Sequence, residues 1–131
     1  MVLNSESDLR AWLRRAWDKG GPPLAWTEAA PGGTDGAPDV SLPMGNGWWL
    51  PVELKHWARE KIAMRVSQRR FHRLALEGGA KTAFLVLLGG EPMLASGKSV
   101  LVGEPDWWVM KRIGASRKEL IDCLQCKEFW K

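Results

Sequence analysis

Apolar residues near the amino terminus fall at helical spacing. Leu9, Trp12, Leu13, Ala16 and Trp17 follow the i, i+3, i+4, i+7, i+8 steps that put one stripe on one helix face. This predicts a helix over 4–19. Ser5 stands where it can cap the start, with Asp8 three residues on as a short-armed capping box, and Gly20-Gly21-Pro22-Pro23 stops the helix. Leu24 to Ala29 reads as a strand, and Pro31 to Gly36 as a glycine-rich loop that lets backbone approach a ligand or metal. Pro38 to Leu42 and Val52 to Lys55 read as the two strands of an antiparallel hairpin, with the turn residues Pro43-Met44-Gly45-Asn46-Gly47 between them.

After Lys55 comes a polar segment, His56 to Arg65. Ser67 is then placed to cap a helix running to about Glu77, with Phe71, Leu74 and Ala75 as its apolar stripe and Gly78-Gly79 as its end. Thr82 to Leu88 is almost continuously apolar, the pattern of a strand covered on both faces. Met93 to Ala95 and Ser99 to Val102 suggest a second hairpin across Ser96-Gly97-Lys98, and Trp107 to Met110 has no clear assignment. Ser116 with Glu119 makes a capping box for a last helix through Leu120, Ile121 and Leu124 to about Phe129. The alternation of helices and strands predicts an α/β sandwich with a mixed sheet.

Composition narrows the class. A chain of 131 residues, 45% hydrophobic and 26% charged, suits one globular domain. The longest apolar run, Ala83 to Leu88, is too short to span a bilayer. Residues 1–8 have neither a basic nor an apolar signal region, so the expected compartment is the cytoplasm of a bacterial or phage-infected cell. The net charge of +4 and pI near 9.3 permit a nucleic-acid partner without requiring one. Nine Trp and no Tyr supply large apolar surfaces that fill a core, stack on bases or pack a dimer. Cys123 and Cys126 form a single C-x-x-C with both histidines far off in sequence, which reads as two reduced thiols on a helix rather than a metal site.

The hairpin carries the chemistry. Glu53 and Lys55 are two apart on one strand and share a face. The antiparallel partner brings Asp39 alongside. Two carboxylates and an ammonium then converge, either as a surface ion-pair cluster of little energetic consequence or as a site for a hard cation.

Order decides between these readings. Gly36-Ala37-Pro38-Asp39, then Glu53-Leu54-Lys55, then Ser67-Gln68, a glycine pair and an apolar strand together resemble the PD-(D/E)XK nuclease superfamily, in particular the small stand-alone VRR-NUC (virus-type replication–repair nuclease) proteins of phages. The resemblance covers about residues 1–90. It implies a single nuclease domain over 1–131. The core would be a restriction-endonuclease-like α-β-β-β-α-β unit with a mixed central sheet flanked by helices, and residues from about 91 a C-terminal hairpin/helix extension. It further implies that Asp39 and Glu53 are metal ligands, with the backbone carbonyl of Leu54 completing the shell. Lys55 would hold the attacking water and the scissile phosphate, and Gln68 would help order the site. Family members often place another glutamate on the first helix. Glu6 is the candidate: at about 100° per residue it lies about 50° from the centre of the buried stripe, while Asp8 lies nearly twice as far away. An acid in a first turn also simply complements the helix dipole.

The expected activity is Mg²⁺- or Mn²⁺-dependent hydrolysis of phosphodiester bonds in DNA, with no nucleotide cofactor and no membrane partner. So small a chain has no separate recognition domain, which points to selection by shape, as in branched DNA or four-way junctions during phage replication, recombination or repair. A homodimer, through Trp48-Trp49 or Trp107-Trp108, would present two sites symmetrically. The alternatives are a non-catalytic DNA- or protein-binding module on the same fold, and a nuclease subunit that needs a partner. Arg59, Lys61, Arg65, Arg69, Arg70 and Arg73 are candidates for phosphate contacts, against the ordinary fate of such a run as a solvated face. The basic wording between Lys55 and Ser67 departs from the family and leaves substrate preference open. His56 points away from Lys55, and His72 is expected on the helix surface.

Overall fold

The computed structural model describes residues 3–17, 24–26, 38–45, 47–57, 64–109 and 116–131. In chain order the elements are α1 (Glu6–Trp17), β1 (Ala25–Trp26), β2 (Val40–Gly45), β3 (Trp48–Trp57), α2 (Val66–Glu77), β4 (Ala83–Leu88), β5 (Glu91–Ser96), α3 (Gly97–Leu101), β6 (Trp108–Val109) and α4 (Arg117–Gln125), then a 3₁₀ turn, Lys127–Trp130. The fold is α/β. One six-stranded sheet runs β1-β2-β3-β4-β5-β6. Every neighbouring pair is antiparallel except β3 and β4, which are parallel with Val52 opposite Ala83. A parallel pair needs a crossover, and α2 supplies it.

The sheet separates two apolar layers. Val40 and Leu42 of β2, Leu50, Val52 and Leu54 of β3, and Leu85 and Leu87 of β4 face one side. There they meet Leu9, Trp12, Leu13, Ala16 and Trp17, the whole predicted stripe of α1, together with Leu120, Cys123 and Leu124 of α4. Alternation puts Phe84 and Val86 on the other side, in a smaller cluster with Ala95 and Val100. Both faces of β4 are therefore covered, as its unbroken apolar run predicts. Ser5 Oγ accepts from the backbone amide of Asp8 at 3.1 Å, and Asp8 Oδ2 accepts from that of Asn4 at 2.9 Å.

The hairpin is longer than its hydrophobic pattern predicts. Pro43, Met44 and Trp48 to Leu50 extend the strands into the expected turn. The reversal narrows to the residues around Gly47, whose φ of 77°, like the 92° of Gly45, favours glycine. Asp39 precedes β2 rather than beginning it. Of the predicted strand at 24–29 only Ala25–Trp26 is assigned; Leu24 is not in the strand, and 27–29 lie outside the described residues.

The carboxyl-terminal third corrects one expectation. Ser99 to Val102 is not a strand. Ser96 Oγ accepts from Ser99 N at 3.2 Å and starts the short helix α3, so β5 pairs with β4 across the Gly89-Gly90 turn and with β6, not with a strand at 99–102. The serine cap outweighs the apolar alternation beyond it. Ser116 does cap α4, accepting from Glu119 N at 3.4 Å. Among the described residues no helix is long and apolar enough to cross a membrane.

Candidate functional site

Register sets the geometry of the site. Val40 is opposite Val52, so Asp39, one residue earlier, stands beside Glu53. Leu54 and Val52 bury on the α1 side. Glu53 and Lys55 therefore point to the α2 side. Glu53 is 1% exposed, and Lys55 is half-buried. Asp39 is held by the strand next to it, its Oδ2 accepting from Leu54 N at 2.9 Å. Its Oδ1 lies 3.6 Å from the Arg10 guanidinium, which α1 brings to the same end of the sheet.

Gln68 joins the charged pair. Its Nε2 donates to Glu53 Oε1 at 2.7 Å. Its Oε1 accepts from Lys55 Nζ at 2.9 Å and from Arg65 N at 3.0 Å. The last bond makes Gln68 the third residue of α2 reaching back to the cap position. The cap residue is Arg65, not Ser67, so α2 begins two residues earlier than expected. A single amide thus closes the helix start and fixes both catalytic candidates.

The inward face of α2 is polar, which overturns its expected stripe. Gln68 and His72, four apart, are its buried residues. Leu74 is 49% exposed, and Phe71 and Ala75 are half-buried. His72 is likewise not on the surface. It is 0% exposed, its ring stacked 4.5 Å from that of Phe84. His72 Nδ1 shares a 2.8 Å hydrogen bond with Thr82 Oγ1. Its Nε2 lies 3.7 Å from Glu53 Oε2, too long for a hydrogen bond. Both atoms are buried without a hydrogen-bond partner. With the Thr82 hydroxyl donating to Nδ1, the Nε2 proton faces the carboxylate. The i, i+4 spacing of Gln68 and His72 is the signal that identifies this face. Hydrophobic patterning misses it because a functional helix face reads as the solvent face.

Burial pushes the Glu53 carboxyl above its ordinary range, and neighbouring Asp39 adds to this, while His72 and Lys55 pull the other way. Glu6 is exposed yet shares this field. Partial burial and then Asp39 raise its carboxyl pKa, against Lys55 and Arg10, with Glu53 adding a smaller push. The first turn of α1 therefore faces the same charges. Among the described residues no group of three or more His, Cys, Asp or Glu is arranged to hold a metal ion. A Mg²⁺ ion, however, is commonly held by only one or two carboxylates, its remaining positions going to water and substrate phosphate. Asp39 and Glu53 could supply such carboxylates, Glu53 Oε2 being buried without a hydrogen-bond partner.

Arg65, Arg69, Arg70 and Arg73 are all exposed, along α2. Arg59 and Lys61 lie outside the described residues. Cys123 is buried and Cys126 half-buried, both free, and burial pushes the Cys123 thiol up to about 12, with Cys126 adding to the rise. Comparison with protein-family models, curated proteins and solved structures returned no match.

Proposed function

We propose that this chain is a divalent-metal-dependent DNA endonuclease with a restriction-endonuclease-like core of the PD-(D/E)XK type. The observation that carries the reading is Gln68 bonded at once to Glu53 and Lys55. A surface ion-pair cluster has no use for a buried glutamate whose second oxygen is left without a donor. Leaving such an atom unpaired costs about 1–3 kcal/mol, a cost suited to a site that is filled in function. The element order α-β-β-β-α-β through β4 agrees with the core expected of the superfamily.

Asp39, Glu53 and the Leu54 carbonyl would hold Mg²⁺ or Mn²⁺, which supplies a water of lowered pKa and a Lewis acid toward the phosphate. Lys55, kept in place by Gln68, donates to the attacking water and the phosphate oxygens. It acts there as an electrostatic clamp and hydrogen-bond donor. Arg10 holds Asp39 toward the strand. The α2 arginines neutralise flanking phosphates. Selection of branched or four-way DNA, and a symmetric dimer, are further parts of the proposal. Trp107 and Trp108 are half-buried and pack against the two apolar clusters, so they are poor dimer contacts.

The test is cleavage of single-stranded, duplex, flap and four-way DNA with Mg²⁺, Mn²⁺ or EDTA, with Glu53→Ala and Lys55→Ala alongside. Metal-dependent cutting lost in both variants is expected. Binding without cutting on all substrates favours the non-catalytic module, and activity appearing only with a cell extract favours a partner-dependent subunit.

A further inference from the structure

Two tryptophans are left exposed at the start of β3, Trp49 at 50% and Trp48 at 38%. Alternation puts Trp49 and Pro51 on the same sheet face as Glu53 and Lys55. At about 3.3 Å per residue Trp49 is about 13 Å along the strand from Glu53. Trp49, Pro51, Gly79, Ala80 and Lys81 border an open cavity of about 440 Å³ that Trp48 also lines. Around the strand end, Trp48 and Lys81 open onto a second cavity of about 510 Å³ with Lys127, Trp130 and Lys131. Lys81 Nζ stands 4.9 Å from the Trp130 ring centre and 6.0 Å from that of Trp48.

Helix α2 connects this place to the candidate active site. Its first turn carries Gln68, bound to Glu53 and Lys55. Gly79, just past its end, lines the first cavity. Between them Arg69, Arg70 and Arg73 are exposed. The helix has 12 residues, about 18 Å at 1.5 Å per residue. Cations therefore mark the route from the carboxylates to the tryptophans.

We propose that the Trp49 cavity is a stacking site for an unpaired base of the DNA strand whose phosphate lies at Glu53 and Lys55. The inference rests on the nuclease reading and names its substrate class: DNA with a single-stranded segment next to the cut. Aromatic rings set among lysines take base faces and phosphates together. A base inside a duplex has both faces covered and offers nothing to Trp49. An unpaired strand bridges about 13 Å in only a few nucleotides, so the stacked base lies close to the cut. A second copy of the chain fits less well. The cores of such interfaces are depleted in lysine, and a two-fold contact centred here would set the Lys81 side chains of both copies against each other.

Binding is measured by fluorescence anisotropy in EDTA, on a blunt duplex and on the same duplex with a single-stranded arm. Wild type is expected to bind the armed DNA about tenfold more tightly, and Trp49→Ala to lose that preference while keeping its duplex affinity, since one base stacked on an aromatic side chain is worth roughly that factor or more. Trp49→Phe should restore the preference. 2-Aminopurine walked along the arm should change its fluorescence at one position, within a few nucleotides of the cut found in Mg²⁺. Equal affinity of wild type and Trp49→Ala for the armed DNA, with cleavage intact, overturns the stacking site and leaves the nuclease standing. No DNA binding by wild type overturns both. A dimer that Trp49→Ala dissociates, with DNA binding unchanged, assigns the surface to a second copy instead.

Discussion

Gln68 donates to Glu53 Oε1 at 2.7 Å while its own Oε1 takes the ammonium of Lys55 at 2.9 Å. One neutral side chain thus sets the distance between an anion and a cation that would otherwise collapse into an ion pair or turn to solvent. Gln68→Ala should lower the cleavage rate about ten- to a hundredfold, as loss of alignment does. It should also cost about 1–3 kcal/mol in urea unfolding, because Glu53 Oε1 loses its donor in a buried place. Lys55→Ala removes a half-buried group and should abolish cleavage with little change in the unfolding midpoint. The pair of measurements separates a residue that positions from one that acts.

The buried Glu53 makes the metal-free protein sensitive to pH. Its folded pKa is raised above the ordinary 4.5 by burial first, so the folded state holds the proton more tightly than the unfolded one. Stability is then greatest where the group is protonated, is lost as pH climbs from the unfolded value through the folded one, and stays lost above it. Glu53→Gln removes that titration and can still accept from Gln68. In EDTA at neutral pH its melting temperature should exceed that of wild type by several degrees, on the scale of about 4 °C per 1 kcal/mol. The gap should close as pH falls toward the ordinary carboxyl range. Added Mn²⁺ should raise the wild-type melting temperature and leave Glu53→Gln little changed.

Hydrophobic spacing predicts α1 residue by residue because one side of that helix meets only apolar neighbours: Leu9, Trp12, Leu13, Ala16 and Trp17 are all buried. The same logic fails on α2. There the buried positions are Gln68 and His72, and Leu74 looks outward, since α2 packs over Glu53 and must answer its charge. The hairpin and its three charged residues are legible from period-two alternation and turn residues. The contribution of Thr82 is not, because its hydroxyl partner is ten residues away on another element. Nor is α3, where one serine cap redirects an apolar segment.

His72 should matter although hydrophobic spacing puts it on the surface. It is fully buried between Phe84 and the carboxylate. His72→Ala leaves a cavity, an unpaired Thr82 hydroxyl and a freer Glu53, and should cost about 2–4 kcal/mol. Under the proposed nuclease reading, loss of the ring packed beside Glu53 would also loosen that carboxylate toward the metal, so Mn²⁺ binding by calorimetry should weaken about tenfold. His72→Gln, whose amide can bond either neighbour, should recover part of both. A purely space-filling residue would give the stability loss with unchanged Mn²⁺ affinity in whatever fraction remains folded.

Thr82 is in turn fixed from behind by Gly97. The Gly97 amide donates to Thr82 O at 2.8 Å, and a Cβ at Gly97 would overlap Thr82 Oγ1, with Thr82 Cβ and O each 3.2 Å away. Backbone and side chain of Thr82 thus leave room only for a hydrogen at that position. Gly97→Ala should push the hydroxyl off His72 Nδ1 and cost about 1–3 kcal/mol, the usual penalty for overfilling a packed site. Thr82→Ala alone deletes the hydroxyl and unpairs His72, costing on the order of 1 kcal/mol. Both changes break the same Thr82–His72 bond, and Thr82→Ala removes the atom that the new methyl of Gly97→Ala would overlap, so the double variant should be less destabilised than the sum of the singles by at least about 0.5 kcal/mol. Additive losses would mean that Gly97 acts on α3 alone. Nonadditive losses, accompanied by weaker Mn²⁺ binding in Gly97→Ala, would extend the support of Glu53 through His72 and Thr82 to the first residue of α3.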